Sequence, residues 1–162
     1  MKEIELDAMD LQLLAQLQRD ASLSNQDLAQ AVNTSAPTCL RRIKRMQEAG
    51  LIERQVAILN PERLAQSLGH GLCAIVEISL DRQGSEAQDQ FEARLVAEDA
   101  VQQCYRVSPG PDFVLVVHCR HMPDYLALTQ RLFTADANVR NVKAFFSTRR
   151  AKFGAHLPLP SA

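Results

Sequence analysis

The sequence predicts an α+β chain built as an N-terminal winged helix-turn-helix unit followed by a ferredoxin-like βαββαβ domain. Three observations predict it. Leucines recur at helical spacing through the first segments, whereas beyond residue 71 apolar residues gather in short β-branched runs bounded by turn residues. Between these regimes, four cations (Arg41, Arg42, Lys44 and Arg45) crowd a capped helix that follows a tight polar turn. A cationic second helix after such a turn is what a helix-turn-helix carries into the major groove.

Leu6, Leu11, Leu13, Leu14 and Leu17 mark a first helix over about 7–20, with Asp7 and Asp10 in the first turn, where the helix dipole favours negative charge. Ser24 caps a second helix carrying Leu28, Ala29 and Val32. Asp27 lies three residues on, the place of a capping-box acid. Asn33 and Thr34 form the turn. Ser35 caps the third helix, 35–49, and Pro37 sits in its first turn, where a missing N–H costs nothing. Cys39, Ile43 and Met46 share one face of that helix, and Gly50 stops it. Residues 53–59 read as a short strand, the wing, ended by Asn60-Pro61. Residues 61–71 read as a linker or hinge.

The second domain spans 72–150. A strand at 72–80 carries Ile75, Val76 and Ile78, and an amphipathic helix at 85–97 carries Phe91 and Leu95. A strand follows at 101–107, then a Pro-Gly-Pro turn, a strand at 113–119, a helix at 122–133 and a last strand at 139–149. Residues 151–162 form a C-terminal tail. Two helices on one face of a four-stranded sheet leave the other face in need of a partner, so self-association is expected.

Composition limits the functions. The 162 residues, 46% of them hydrophobic, suffice for a buried core. The net charge of −1 gives no global sign of a polyanionic partner, and residues 1–60 hold seven Lys/Arg against eight Asp/Glu. Any nucleic acid must therefore be met by the local block at 41–45. The four cysteines are scattered and read as small buried hydrophobes of a reducing compartment. His118, Cys119 and His121 are close in sequence, but a strand would turn His118 and Cys119 to opposite faces, so no metal is expected. Neither a basic-then-apolar leader nor a membrane-length apolar run occurs, which points to the cytoplasm and to no membrane partner. No nucleophile elbow, paired carboxylates, P-loop or dinucleotide fingerprint is present, so no enzyme and no cofactor is expected.

The order of these parts resembles the Lrp/AsnC (leucine-responsive/asparagine-responsive) family of transcription regulators, over nearly the full chain. The residues that carry the resemblance are Leu6-Asp7, Asp10, Leu14, Leu28-Ala29, Ser35, Arg42-Ile43, Met46 and Gly50-Leu51-Ile52. Asp112-Phe113, the Met122–Tyr125 stretch and the final strand add to it. The resemblance implies a RAM- or ACT-like second domain that senses an amino acid, leucine or methionine first among them. It also implies dimers, assembling to an octamer, that bind pseudo-palindromic double-stranded DNA. The candidate DNA-binding residues are Ser35, Pro37, Thr38, Arg41, Arg42, Lys44 and Arg45. Thr38 and Arg41 are placed for base edges, and Arg42 is open between phosphate contact and intradomain pairing.

The family's effector loop reads Gly-x-x-Asp-aromatic. Here it reads Ser108-Pro109-Gly110-Pro111-Asp112-Phe113: the acid and the aromatic match, Pro109 stands at the glycine position, and the glycine is displaced to 110. Proline removes an N–H, so Gly110 is the donor to expect. Asp112 reads either as an acceptor for a ligand's ammonium or as a turn aspartate bonded to nearby backbone. The competing overall reading is a small-molecule-binding oligomeric sensor, or an architectural DNA-binding protein, without ligand-regulated DNA binding.

Overall fold

A computed structural model describes residues 4–69 and 71–160. It falls into two compact units, residues 4–58 with 152–160, and residues 59–151.

The first unit holds α1 (Ala8–Arg19), α2 (Asn25–Ala31) and α3 (Ala36–Glu48). Asp7 opens α1 in a reciprocal capping box: its side chain accepts from the Asp10 N–H at 2.9 Å, and Asp10 accepts from the Asp7 N–H at 3.2 Å. Ser24 caps α2, accepting from the Asp27 N–H and donating to the Asp27 carboxylate. Asn33 takes a left-handed conformation in the turn (φ 53°), which asparagine tolerates better than most residues. Gly50 (φ 75°) ends α3, where the Leu51 N–H donates back to the Met46 carbonyl. Leu13, Leu28, Ala29, Val32, Cys39, Ile43 and Met46 form the core of this unit, so the apolar stripe of α3 is buried as its spacing predicts.

Two expectations fail beside this unit. Residues 53–59 form no strand: the segment has no ladder partner among the described residues, and Val56, Ile58 and Leu59 are exposed. An extended run becomes a strand only when another backbone completes its hydrogen bonds. The stretch expected as a linker holds α4 (Pro61–Leu68). Asn60 caps it by accepting from the Glu62 and Arg63 N–H groups, Pro61 occupies the first turn, and Gly69 ends it in the left-handed region. The Asn-Pro pair that terminates one element also initiates a helix. The tail meets α1, with the Gln18 side-chain amide exchanging two hydrogen bonds with the Leu157 backbone.

The second unit continues with β1 (Leu72–Leu80), α5 (Ser85–Val96), β2 (Val101–Arg106), β3 (Phe113–Cys119), α6 (Met122–Thr129) and β4 (Val139–Phe146). A π-helical turn, Gln130–Thr134, extends α6. The four strands are antiparallel in the order β2-β3-β1-β4, the ferredoxin-like arrangement. Alternate residues of the central strands (Ala74, Val76, Ile78, Leu80, Phe113, Leu115 and Val117) pack with Phe91 and Leu95 of α5 and with Tyr125, Leu128, Leu132 and Phe133. The opposite face carries a cross-strand row, Val116–Ile75–Phe145, with Ile75 and Phe145 exposed. No helix among the described residues is long and apolar enough to cross a membrane.

Phe113 is fully buried against Phe91, ring centroids 5.4 Å apart. Phe113→Ala is expected to destabilise this unit by about 3–5 kcal/mol, read as a lower midpoint in chemical denaturation followed by circular dichroism.

Candidate nucleic-acid interface and effector loop

The spacing of the cations on α3 divides them between two faces. With Cys39, Ile43 and Met46 inside, Arg42 falls beside the buried stripe, whereas Arg41 and Lys44 fall opposite it. Arg42 Nη1 donates to Asp7 Oδ2 at 2.7 Å and to Asp10 Oδ1 at 2.9 Å, and Arg45 Nη2 donates to Asp10 Oδ2 at 2.5 Å. The Asp10 side chain is 1% exposed. Arg42 and Arg45, both expected as DNA contacts, thus pin α3 to the start of α1; Arg42 is largely covered, whereas the Arg45 side chain stays 46% exposed, on the same face as Arg41. A carboxylate buried among leucines requires cations, and the nearest ones on the packed helix are these two. The Asp10 N–H, then Arg42, hold the Asp7 carboxyl below its ordinary value, and the Asp10 and Asp7 carboxylates push the Arg42 guanidinium up.

The outward face carries Pro37, Arg41 and Lys44, all exposed. Lys44 Nζ lies 3.8 Å from Glu48 Oε1, an exposed pair one turn apart that is worth little. Ser35 occupies the N-cap position of α3 without bonding the helix backbone. Its hydroxyl donates instead to Thr38 Oγ1 at 2.9 Å, which satisfies an acceptor site on Thr38 and leaves that hydroxyl's own hydrogen directed elsewhere. Asn25 ties the two helices at their starts by donating to the Ala36 carbonyl at 2.7 Å.

The sequence reading missed Asp10 as the partner of the arginines. The signal was present: an acid three residues before Leu13 and seven before Leu17 lies on the apolar stripe of its own helix.

In the second unit, the loop Ser108-Pro109-Gly110-Pro111 joins β2 to β3. Ser108, Pro109 and Gly110 are exposed, and Pro111 is half-buried. The Ser108-Pro109 peptide is cis, and Gly110 has a φ of 126°, a conformation that side chains other than glycine's resist. Asp112 is 7% exposed, and its groups are spent within the fold. Its N–H donates to the Ile78 carbonyl at 2.8 Å, and its Oδ2 accepts from the Leu80 N–H at 2.7 Å. The side-chain amides of Gln83 and Gln88 donate weakly to the same carboxylate, at 3.4 and 3.3 Å. The Asp112 carboxylate is thus bonded to backbone, that of β1 thirty-two residues away and not that of its own turn.

His118 lies on the exposed face of the sheet. Burial, then the Arg150 charge, pushes its imidazole down. All four cysteines are free thiols, and burial raises each of them. No group of three metal-binding side chains occurs among the described residues.

Comparison with known proteins agrees with these parts. Residues 73–157 match the family model of the Lrp/AsnC ligand binding domain, and residues 6–53 match that of a winged helix-turn-helix DNA-binding domain. The chain is 34% identical over 149 residues to a leucine-responsive regulatory protein of Rhizobium meliloti, covering 92% of this chain and 93% of that one. A solved AsnC family transcriptional regulator from Agrobacterium tumefaciens superposes with a TM-score of 0.83 at 29% identity, covering 94% of this chain and 97% of that one. A transcriptional regulator from Neisseria meningitidis, solved in complex with L-methionine, gives a TM-score of 0.83 at 27% identity, covering 95% and 97%.

Truncating Arg42 leaves Asp10 with Arg45 and the Asp7 N–H. Arg42→Ala is therefore expected to cost about 1–3 kcal/mol of stability, read by thermal unfolding. The Asp7 carboxyl is depressed in the folded state, so its contribution is complete above the ordinary value of 3.8 and is lost as pH falls through the lower folded value. Arg42→Ala removes part of that depression and moves the acid transition of the unit upward, which a pH titration of circular dichroism would register.

Proposed function

The chain belongs to the Lrp/AsnC family of DNA-binding transcriptional regulators, and from that premise we propose that it is a homo-oligomeric regulator whose DNA binding responds to an amino acid. The observation that carries the DNA side of this reading is the outward face of α3. Arg41 and Lys44 stand exposed there, on the face opposite the buried Cys39-Ile43-Met46 stripe. Phosphates take Lys and Arg with release of counterions, and an Arg can pair in two places with a guanine edge. Pro37, and Thr38 with its hydroxyl oriented by Ser35, lie at the helix end nearest the bases in such a docking. Binding by a symmetric dimer makes the operator pseudo-palindromic.

Self-association is supported by the apolar row Val116–Ile75–Phe145 on the uncovered sheet face. The exposed Val56, Ile58 and Leu59 of the unpaired extended segment support it too. The regulator works on DNA in the cytoplasm and is not an enzyme. The effector loop is Ser108–Pro111, with the Gly110 N–H and the Ser108 hydroxyl as the groups to meet a ligand, and with Asp112 fixing the loop's shape from behind. Methionine heads the candidates because the Neisseria meningitidis relative was solved with it, and leucine follows because a relative is a leucine-responsive protein.

A second reading has an observation in its favour. Pro109 and Pro111 remove two N–H donors from the loop, and the Asp112 carboxylate is already bonded. On that reading the chain is an architectural DNA-binding protein without ligand control.

Two measurements test these readings. Arg41→Ala with Lys44→Ala is expected to lower the slope of log K against log salt by about two for each bound protomer. A slope equal to wild type removes α3 from the interface. In a thermal-shift screen of the twenty amino acids, an aliphatic or thioether amino acid at about a hundred times its Kd is expected to add roughly 2.7 kcal/mol of stability. No shift with any amino acid favours the architectural reading.

A further inference from the structure

The apolar residue that neither the buried stripe nor the charged face of α3 accounts for is Leu40. It is 59% exposed, on the shoulder of the outward face, one turn from Pro37 on one side and from Lys44 on the other, and next to Arg41. The helix has a complete core stripe without it, since Cys39, Ile43 and Met46 are buried against α1 and α2. This leucine stands outside the core cluster of the unit, and it places a large apolar group among cations.

We propose that Leu40 is a sequence-reading residue that takes the C5-methyl group of a thymine in the major groove. The inference rests on the DNA reading of α3 above and extends it from affinity to specificity. The thymine methyl is the one apolar group that base edges present in the major groove, and side chains that read it are apolar. Leu40 lies in the N-terminal half of α3, the part of a recognition helix that reaches bases. Arg41 and Lys44 flank it on the same side and bring the backbone of the duplex to it. Lys44 adds affinity through phosphates without distinguishing sequence, and Arg41 can read a guanine edge; Leu40 adds discrimination at a thymine, which neither cation provides. Each half-site should therefore contain a position where thymine is preferred for its methyl group.

The test starts from a duplex selected from random sequence with the wild-type protein. Each thymine in turn is replaced by deoxyuridine, which removes only the methyl. Wild type is expected to lose about fourfold in affinity at one position of each half-site, the factor for one buried methyl. Leu40→Ala is expected to bind the thymine duplex more weakly and to show no further loss on replacement at that position. It should keep the wild-type salt slope and thermal midpoint, since the side chain is exposed and alanine suits a helix. If no position separates wild type from Leu40→Ala, the inference is overturned while the DNA reading stands. Absence of any salt-dependent binding by wild type overturns both.

Discussion

The first unit depends on one electrostatic constraint. Asp10 lies in the middle of an apolar stripe, at a site no water reaches, and an ionised carboxylate there is tolerated only when cations and backbone donors surround it. Arg42 and Arg45 come from α3 for that purpose, and Asp7 completes the cluster while capping the helix to which Asp10 belongs. The cluster thereby fixes the rotation of α3 about its own axis. If α3 turned by one residue, about 100°, the arginines would leave Asp10 and the Cys39-Ile43-Met46 stripe would leave the core together. Hydrophobic burial alone tolerates small slips of a helix, whereas two arginines meeting one buried carboxylate do not. The outward direction of Arg41, Lys44 and Leu40 is therefore set by a charge that itself never faces outward.

The second unit solves a different problem with a similar device. Its β2–β3 connection must turn sharply and rejoin the edge of the central strand. Asp112 does this by bonding β1 twice, through its N–H to Ile78 and through its carboxylate to the Leu80 N–H. The next residue, Phe113, then enters the core against Phe91. Loop shape and core packing are thus joined at consecutive residues. The sheet face away from the helices is left with Ile75, Val116 and Phe145 in a row, a surface whose burial needs another layer.

Much of this was legible in the sequence wherever a pattern repeats. The α3 stripe and the order of strands and helices in the second unit follow from periodicity, which depends on each segment alone. What was illegible depends on partners. The segment at 53–59 has strand composition, but a strand is completed by a second backbone that the sequence cannot locate. Asn60-Pro61 carries stop and start chemistry at once, and α4, which buries none of its residues, offers no packed apolar stripe that would mark a helix in the sequence. The four cations look equivalent as a run. Phased against Cys39, Ile43 and Met46, Arg42 alone falls beside the core; that Arg45 also reaches back to Asp10 from an exposed position follows from the burial of that carboxylate, which the run itself does not show. Asp112 was legible as an important loop residue, but its bond to the Leu80 N–H, thirty-two residues away in the chain, was not.

That last contact bears on how an effector can be recognised at the loop. A ligand ammonium that bound Asp112 directly would have to share or take the acceptor that now satisfies the buried Leu80 N–H. Leaving such a donor unsatisfied costs about 1–3 kcal/mol, roughly the whole coupling free energy typical of an allosteric effector. A ligand that meets the loop from outside, through Ser108 and Gly110, incurs no such cost and leaves β1 anchored. The prolines on either side of Gly110 then act as a restriction and not simply as a loss. They hold the backbone on both sides of the glycine to a narrow range of φ, so the single remaining N–H between them is presented with little conformational entropy to lose on binding. A loop whose one backbone donor is held this way favours a ligand that brings an acceptor to it, with the Ser108 hydroxyl as the second group within the loop. Discrimination among side chains must then come from apolar surface near the loop, and not from Asp112.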